Sequence, residues 1–152
     1  MPDRTSQSGS VQSGSVLPIS TLSYAGARAV LDAALAKATE LGVAVNIAVC
    51  DAGGNPLTFA RMDGAALLSG PIATDKAYSV VAFLGLPTSA WEGILKDNPT
   101  LRDGLLQRER LVIFGGGLPV VVAGAIVGAV GVSGGSVSED EEIAAAGVAA
   151  LT

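Results

Sequence analysis

Apolar positions recur with helical spacing from Thr21 onward. Leu22, Ala25, Ala29, Ala33, Ala36 and Glu40 share one face, and Val30, Ala34 and Leu41, with Leu31, Leu35 and Ala38, widen it. Ser20 or Thr21 can cap this helix, and Gly42 ends it. The run VAVNIAVCDA (43–52) is then β-rich, Gly53-Gly54-Asn55-Pro56 is a turn cluster, and LTFARMD (57–63) returns as the second strand of a hairpin. A second helix is expected over roughly 70–84, with Pro71 in its first turn. A third starts at Thr88 in TSAWEGIL, where Thr-x-x-x-Glu nearly matches a capping box. The chain breaks at Asn98-Pro99 and stays polar through Arg110. LVIF (111–114), LPVVVAG (118–124) and AIVGAVGVSGG (125–135) read as successive strands, with Ala123-Gly124 the tight turn between the last two. SEDEEIAAAGVAAL (138–151) reads as a closing helix, with Ser138 as N-cap, Glu141 at its third position and an acidic first turn that complements the dipole. That order predicts an α+β fold, an antiparallel sheet with helices packed on it, rather than a Rossmann fold.

Composition changes this picture at the ends and in the chemistry. Residues 1–17 are rich in Ser, Gly and Gln and repeat QSGSV, so a disordered tail is expected, followed by a single domain over 18–152. Apolar residues reach 49% but aromatics only 4%, so small aliphatic side chains and glycine must build the core. A net charge of −5 argues against nucleic acid as a partner. No segment approaches the run of about 20 apolar residues needed to span a bilayer. The first residues lack the apolar core of a secretory signal, so a cytoplasmic location is expected. Cys50 is the only cysteine and histidine is absent. Cys-cluster or His-ligated zinc, the Ser-His-Asp triad, the Cys-His dyad and a proximal histidine on haem are all excluded. Proton transfer must use carboxylates, Lys76 and its like, Tyr, Cys or water.

The far end of the hairpin carries the first candidate chemistry. Arg61 and Asp63 project to one side of their strand, opposite Met62. Either they close the strand, Asp63 bonding the backbone of the Gly64 turn, or they stand at a pocket rim. At a rim, Arg61 would hold an anionic group and Asp63 would accept a proton. Lys76 shares a helix face with Ile72, Ser79, Val80 and Phe83. It is either a snorkelling boundary residue or a buried amine of lowered pKa. The short connection from strand to helix leads us to expect Arg61, Asp63 and Lys76 together at one end of the sheet, with Lys76 and Asp63 as an ion pair or acid–base pair.

The run Phe114-Gly115-Gly116-Gly117-Leu118-Pro119 has the glycines of a phosphate loop, yet no Lys-Ser/Thr follows and no helix opens after it. Its glycines permit close approach of a ligand or a neighbouring subunit, which makes Phe114 and Gly116 candidate ligand contacts. After Ser133-Gly134-Gly135-Ser136 the acids Glu139, Asp140, Glu141 and Glu142 would repel an anion, so the helix start is read as capping. Those acids point in different directions, as on a solvated face, and no metal site is expected. Trp91 either stacks on a flat ligand or packs in a core or interface.

Three stretches carry a resemblance: NIAVCDAGGNPLTFARMDGA (46–65), SGPIATDKAYSVVAF (69–83) and FGGGLPVVVAGAIVGAVGVSGGSVSEDEEIAAAGVAAL (114–151). Their Asp-Ala-Gly-Gly run before an Arg-Met-Asp-Gly corner, helical Lys-Ala, Gly-Gly-Leu-Pro and Gly-x-x-Gly-Val-Ser-Gly resemble the GlcG/HbpS-like family over about residues 20–151. The family includes extracellular haem-binding and haem-degrading proteins of actinomycetes, the C-terminal domain of PduO-type corrinoid adenosyltransferases and a protein of glycolate operons. The resemblance implies a profilin-like fold, an antiparallel sheet flanked by helices, in rings or stacked oligomers. It also implies that Lys76 lies on a helix lining the pocket, and that the Ser79 hydroxyl is a weak ligand contact.

Three functions follow as expectations. The first is a small-molecule-binding protein, with haem or another tetrapyrrole the ligand that the resemblance implies. Without histidine, an axial ligand would have to come from Met62, Tyr78, Cys50, a hydroxyl or Lys76. The second is a cofactor-free lyase, isomerase or cyclase acting on a carbonyl metabolite, with Lys76 and Asp63 exchanging protons and Arg61 steering a carboxylate. The third is an accessory subunit that works by oligomerisation through its Gly-rich, weakly charged C-terminal half. The expected partners are a small molecule and further copies of the chain, not nucleic acid or membrane.

Overall fold

The computed structural model of the chain describes residues 14–152. Most of the expected tail, residues 1–13, lies outside the described residues, and residues 14–17 are exposed. Helix α1 (Tyr24–Leu41) leads into strands β1 (Asn46–Asp51) and β2 (Pro56–Arg61), then helices α2 (Ser69–Ala82), α3 (Ala90–Leu95) and α4 (Pro99–Leu105). Strands β3 (Gly117–Val122) and β4 (Ala125–Ser133) and helix α5 (Val137–Ala149) complete the chain. The four strands form one antiparallel sheet in the order β2-β1-β4-β3, so the fold is α+β.

Strand alternation divides the sheet into two working faces. Ile47 and Val49 of β1, with Val130 and Val132 of β4, point toward α1 and α5, where Val30, Ala34, Ala38, Ile143 and Ala144 complete the main core. Cys50 and Ala129 point the other way and meet Ala77 and Val80 of α2. The second contact is close because Gly131 has no side chain: a Cβ there would overlap the Ala73 carbonyl oxygen. The backbone of α2 thus rests almost directly on β4. Among the described residues no helix is long and apolar enough to cross a membrane, and no group of three or more His, Cys, Asp or Glu side chains could hold a metal ion.

Several sequence expectations need correction. The cap of α1 is Ser23, whose hydroxyl accepts from Gly26 N–H, while Gly42 ends the helix as expected. The buried face of α1 is Ala27, Val30, Leu31, Ala34 and Ala38; Ala25 and Ala36 are exposed. Thr88 caps nothing, because its hydroxyl accepts the Gly117 N–H at 2.9 Å. The polar stretch after Asn98 contains α4, started by the Asn98 side chain and Pro99. Residues 111–114 are not a strand: the Ser79 hydroxyl accepts the Val112 N–H at 2.9 Å and donates to the Arg110 carbonyl, so this backbone bonds to α2 rather than to a ladder. Helix α5 begins two residues early, with Ser136 and Glu139 forming its capping box in place of Ser138 and Glu141.

Candidate functional site

Edge strand β2 and the N-terminal half of α2 leave a cleft of about 560 Å³ between them. Phe59, Leu67 and Pro71 give it apolar walls, and all three are exposed, Phe59 by 51% and Leu67 by 78%. Gly70 lies on the floor, and the lack of a side chain there leaves the cleft open toward the Phe59 ring and Asn46. Asn46 is fully buried; its Nδ2 donates to the Ala66 carbonyl at 3.0 Å, while its Oδ1 has no partner among the described residues.

Two arginines border this cleft, and both are already oriented. Arg61 Nε donates to the Ala65 carbonyl at 3.2 Å. Arg110 Nε donates to Asp75 Oδ1 at 2.9 Å, and its guanidinium lies 3.8 Å from the centroid of the Tyr78 ring. The Arg110 backbone has a left-handed φ of 65° and is held there by the Ser79 hydroxyl on its carbonyl. A non-glycine residue pays about 1–3 kcal/mol for such a conformation, and such residues concentrate at ligand sites. An apolar slot bordered by two preset cations can hold a flat apolar body with carboxylates at its edge.

Lys76 lies elsewhere. Its side chain is fully buried between α2, β4 and α5, with Nζ donating to the Val132 carbonyl at 2.7 Å and to Asp140 Oδ2 at 3.0 Å. Asp140 Oδ1 accepts the Gly135 N–H at 3.0 Å. Burial pushes the Lys76 ammonium below its usual range and the Asp140 carboxyl above its own, while the mutual contact opposes both shifts. The carboxylate partner of Lys76 is therefore Asp140 and not Asp63. Asp63 is exposed, in a polar depression of about 280 Å³ with Arg61, Met62 and Gly64.

The remaining candidates divide between structure and surface. The Ser79 hydroxyl is used up on the 110–112 backbone. Gly116 is buried with φ 118°, and a Cβ there would come within 2.6 Å of Lys76 Nζ, so this glycine makes room for the buried ammonium. Phe114 has its ring centroid 5.0 Å from the same nitrogen and lines a second cavity, of about 420 Å³.

The sequence and the fold are similar to those of known proteins. The model of the haem-degrading HbpS-like family matches residues 22–149. The chain belongs to that HbpS-like family. It is similar to an uncharacterised 15.0 kDa protein from the dhaT–dhaS intergenic region of Citrobacter freundii, with 39% identity over 83% of this chain and 89% of that one. The crystal structure of Klebsiella pneumoniae protein ORFY superposes with a TM-score of 0.84, 36% identity and coverage of 90% and 94%. The crystal structure of a PduOC–haem complex does so with a TM-score of 0.78, 32% identity and coverage of 87% and 96%.

In this HbpS-like chain, sequence reasoning missed Asp140, Arg110 and Asn46. Asp140 was legible in principle: it precedes the buried Ile143 and Ala144 by three and four residues, on the core face of α5. Asn46 was legible too, as the polar residue in the apolar run VAVNIAV, opposite Arg61 in the hairpin; Arg110 carries no comparable local signal, since its partners on α2 are more than 30 residues away.

Proposed function

We propose that the chain binds a haem-type tetrapyrrole in the cleft between β2 and α2. Support at the coarse level comes from membership of a haem-related binding family and likeness to a haem complex. The observation that carries the finer reading is the pair of preset arginines, Arg61 and Arg110, lining the same cleft as an exposed phenylalanine, leucine and proline. Phe59, Leu67 and Pro71 would cover one face of the macrocycle, and the two guanidinium groups would take its carboxylates in charge-assisted bonds.

The cleft fits the macrocycle better than it fits the metal. It offers no imidazole or thiolate, its Thr74 hydroxyl donates to the Gly70 carbonyl, and its Asp75 carboxylate holds Arg110. Affinity on this reading resides in ring stacking and carboxylate pairing. Iron, when bound, supplies redox and ligand-binding chemistry that the chain only shelters. The acid–base alternative has weaker support, because the Lys76 amine is occupied by Val132 and Asp140 and sealed from solvent.

Haemin and metal-free protoporphyrin titrations, read by absorbance, test the proposal. Both should bind saturably and with dissociation constants within about threefold of each other. Arg61→Ala and Arg110→Ala should each weaken both ligands by roughly tenfold, the loss of about 1.4 kcal/mol from one charged pair. Unchanged affinity in both variants, or no saturable binding of either ligand, would remove the cleft as the site.

A further inference from the structure

Most buried glycines of this chain have a local reason to be glycine. Among the described residues, Gly115, Gly116, Gly117, Gly128, Gly131 and Gly147 each have a heavy atom 3.0 Å or closer to where a Cβ would stand, so a side chain there displaces a neighbour. Gly70 is buried too, and it differs. A Cβ on it would lie 3.5 Å from Phe59 Cζ and 3.6 Å from Asn46 Oδ1, which is ordinary van der Waals contact. Its backbone makes no demand either, since Gly70 lies within α2 and outside the left-handed region.

Glycine at this position is a cost to the fold. After proline it is the least favourable residue in a helix, and it adds the most freedom to the unfolded chain. Helix α2 has little to set against that cost, because Leu68 at its start makes no side-chain cap bond. Alanine would strengthen the helix and fill the space without a clash. The fold gives no reason for glycine here. The cleft does, because Gly70 forms part of its floor.

We infer that Gly70 is a specificity-determining residue of the cleft, and that the rim of the bound ligand takes the place of the missing side chain. The inference rests on the tetrapyrrole reading and adds the ligand's orientation to it. Exposure gives the cleft its depth: Arg61 and Arg110 are exposed and stand at the mouth, whereas Gly70 and Asn46 are buried and form the floor. A haem-type ring carries both of its carboxylates on one half. With that half at the mouth, the opposite half, which bears the two vinyl groups of protoporphyrin, enters first and reaches Gly70. A vinyl group and a side chain at position 70 then compete for one space.

Absorbance titrations of the full chain test this with three ligands: haemin, metal-free protoporphyrin and metal-free deuteroporphyrin, which has hydrogen in place of both vinyl groups. Gly70→Ala should bind haemin and protoporphyrin about tenfold more weakly than the wild type, or worse, while the melting temperature of the unliganded variant stays equal or rises. Its loss for deuteroporphyrin should be about threefold or less, because the smaller rim leaves room for the methyl group. Gly93→Ala, on α3 with open space around its Cβ, should change no affinity. Unchanged protoporphyrin affinity in Gly70→Ala overturns the inference and leaves the tetrapyrrole reading standing. So do equal losses for protoporphyrin and deuteroporphyrin, an equal loss in Gly93→Ala, or a melting temperature lowered by several degrees, which would show that the fold itself needs the glycine. A wild-type chain that binds none of the three ligands removes the reading and the inference with it.

Discussion

Lys76 is the largest side chain buried without exposure, and its position gives it a different role from the one its sequence context implies. A lysine on a helix whose buried residues include Ala73, Ala77 and Val80 is tolerable only because Asp140 and the Val132 carbonyl meet its ammonium. The pair ties α2 to α5 through the sheet, and Gly116 leaves the space that it occupies. Attraction within such a pair is largely offset by desolvation, but removing one partner leaves an uncompensated charge in the core. Asp140→Asn and Lys76→Met should therefore each destabilise the fold by about 3–5 kcal/mol. The double variant should recover part of that loss, and urea unfolding midpoints of the wild type and the three variants check both statements. Equal midpoints for wild type and Asp140→Asn would show that the carboxylate is dispensable. The pairing escaped sequence reasoning because Asp140 stands in an acidic run, where charge masks helical phase. Arg61 was legible, because strand alternation alone fixes the side to which it projects.

At the scale of elements, patterns that a segment contains within itself were legible, and those completed by a distant partner were not. The hairpin, α2 and the Ala123-Gly124 turn follow from local spacing; both turn residues have positive φ, 50° and 79°, as a two-residue hairpin loop requires. The 111–114 segment has the composition of a strand, but Ser79 takes its backbone groups. Helix α4 buries none of its seven residues, so its apolar spacing is weak and the Asn98-Pro99 cap is its main signal. The start of α5 yields a testable pH dependence. Glu139 Oε2 accepts the Ser136 N–H at 2.8 Å, and the Ser136 hydroxyl accepts the Glu139 N–H. Bonds first from the Ser136 backbone and then from its side chain hold the Glu139 carboxyl below its ordinary 4.5. Between that lowered value and 4.5 the unfolded chain binds more protons at this residue than the folded one, so its contribution to stability rises with pH there. The contribution is present above 4.5 and lost as pH falls through the folded value. Urea midpoints measured across the acidic range should fall less steeply in Glu139→Gln, whose amide keeps the cap without titrating. Parallel profiles would show that the box adds nothing to acid sensitivity.

For the whole molecule, the expectation still to be tested is self-association, and the surface offers a specific seat for it. Leu84 is 88% exposed with a left-handed φ of 55°, a conformation that costs a leucine about 1–3 kcal/mol. The next residue, Gly85, has no side chain, and Ile126 fills the space that one would occupy. Ile126 pairs in register with Val121, and both are 37% exposed, beside Val122 at 40%. Through Gly85, Leu84 thus adjoins the β3–β4 hairpin at one edge of the sheet, where Val121, Val122 and Ile126 are also partly exposed. A strained backbone that holds a leucine outward costs stability in a lone chain, and burial against a second copy would offset that cost. The wild-type chain should sediment above the monomer mass at micromolar concentration, and Leu84→Asp should shift it to the monomer. Leu84→Gly should weaken assembly as well, yet raise the melting temperature of the dissociated chain by relieving the strain. A wild-type monomer at all concentrations would end the expectation of self-association. A Leu84→Asp chain as associated as the wild type would move the interface away from this edge of the sheet.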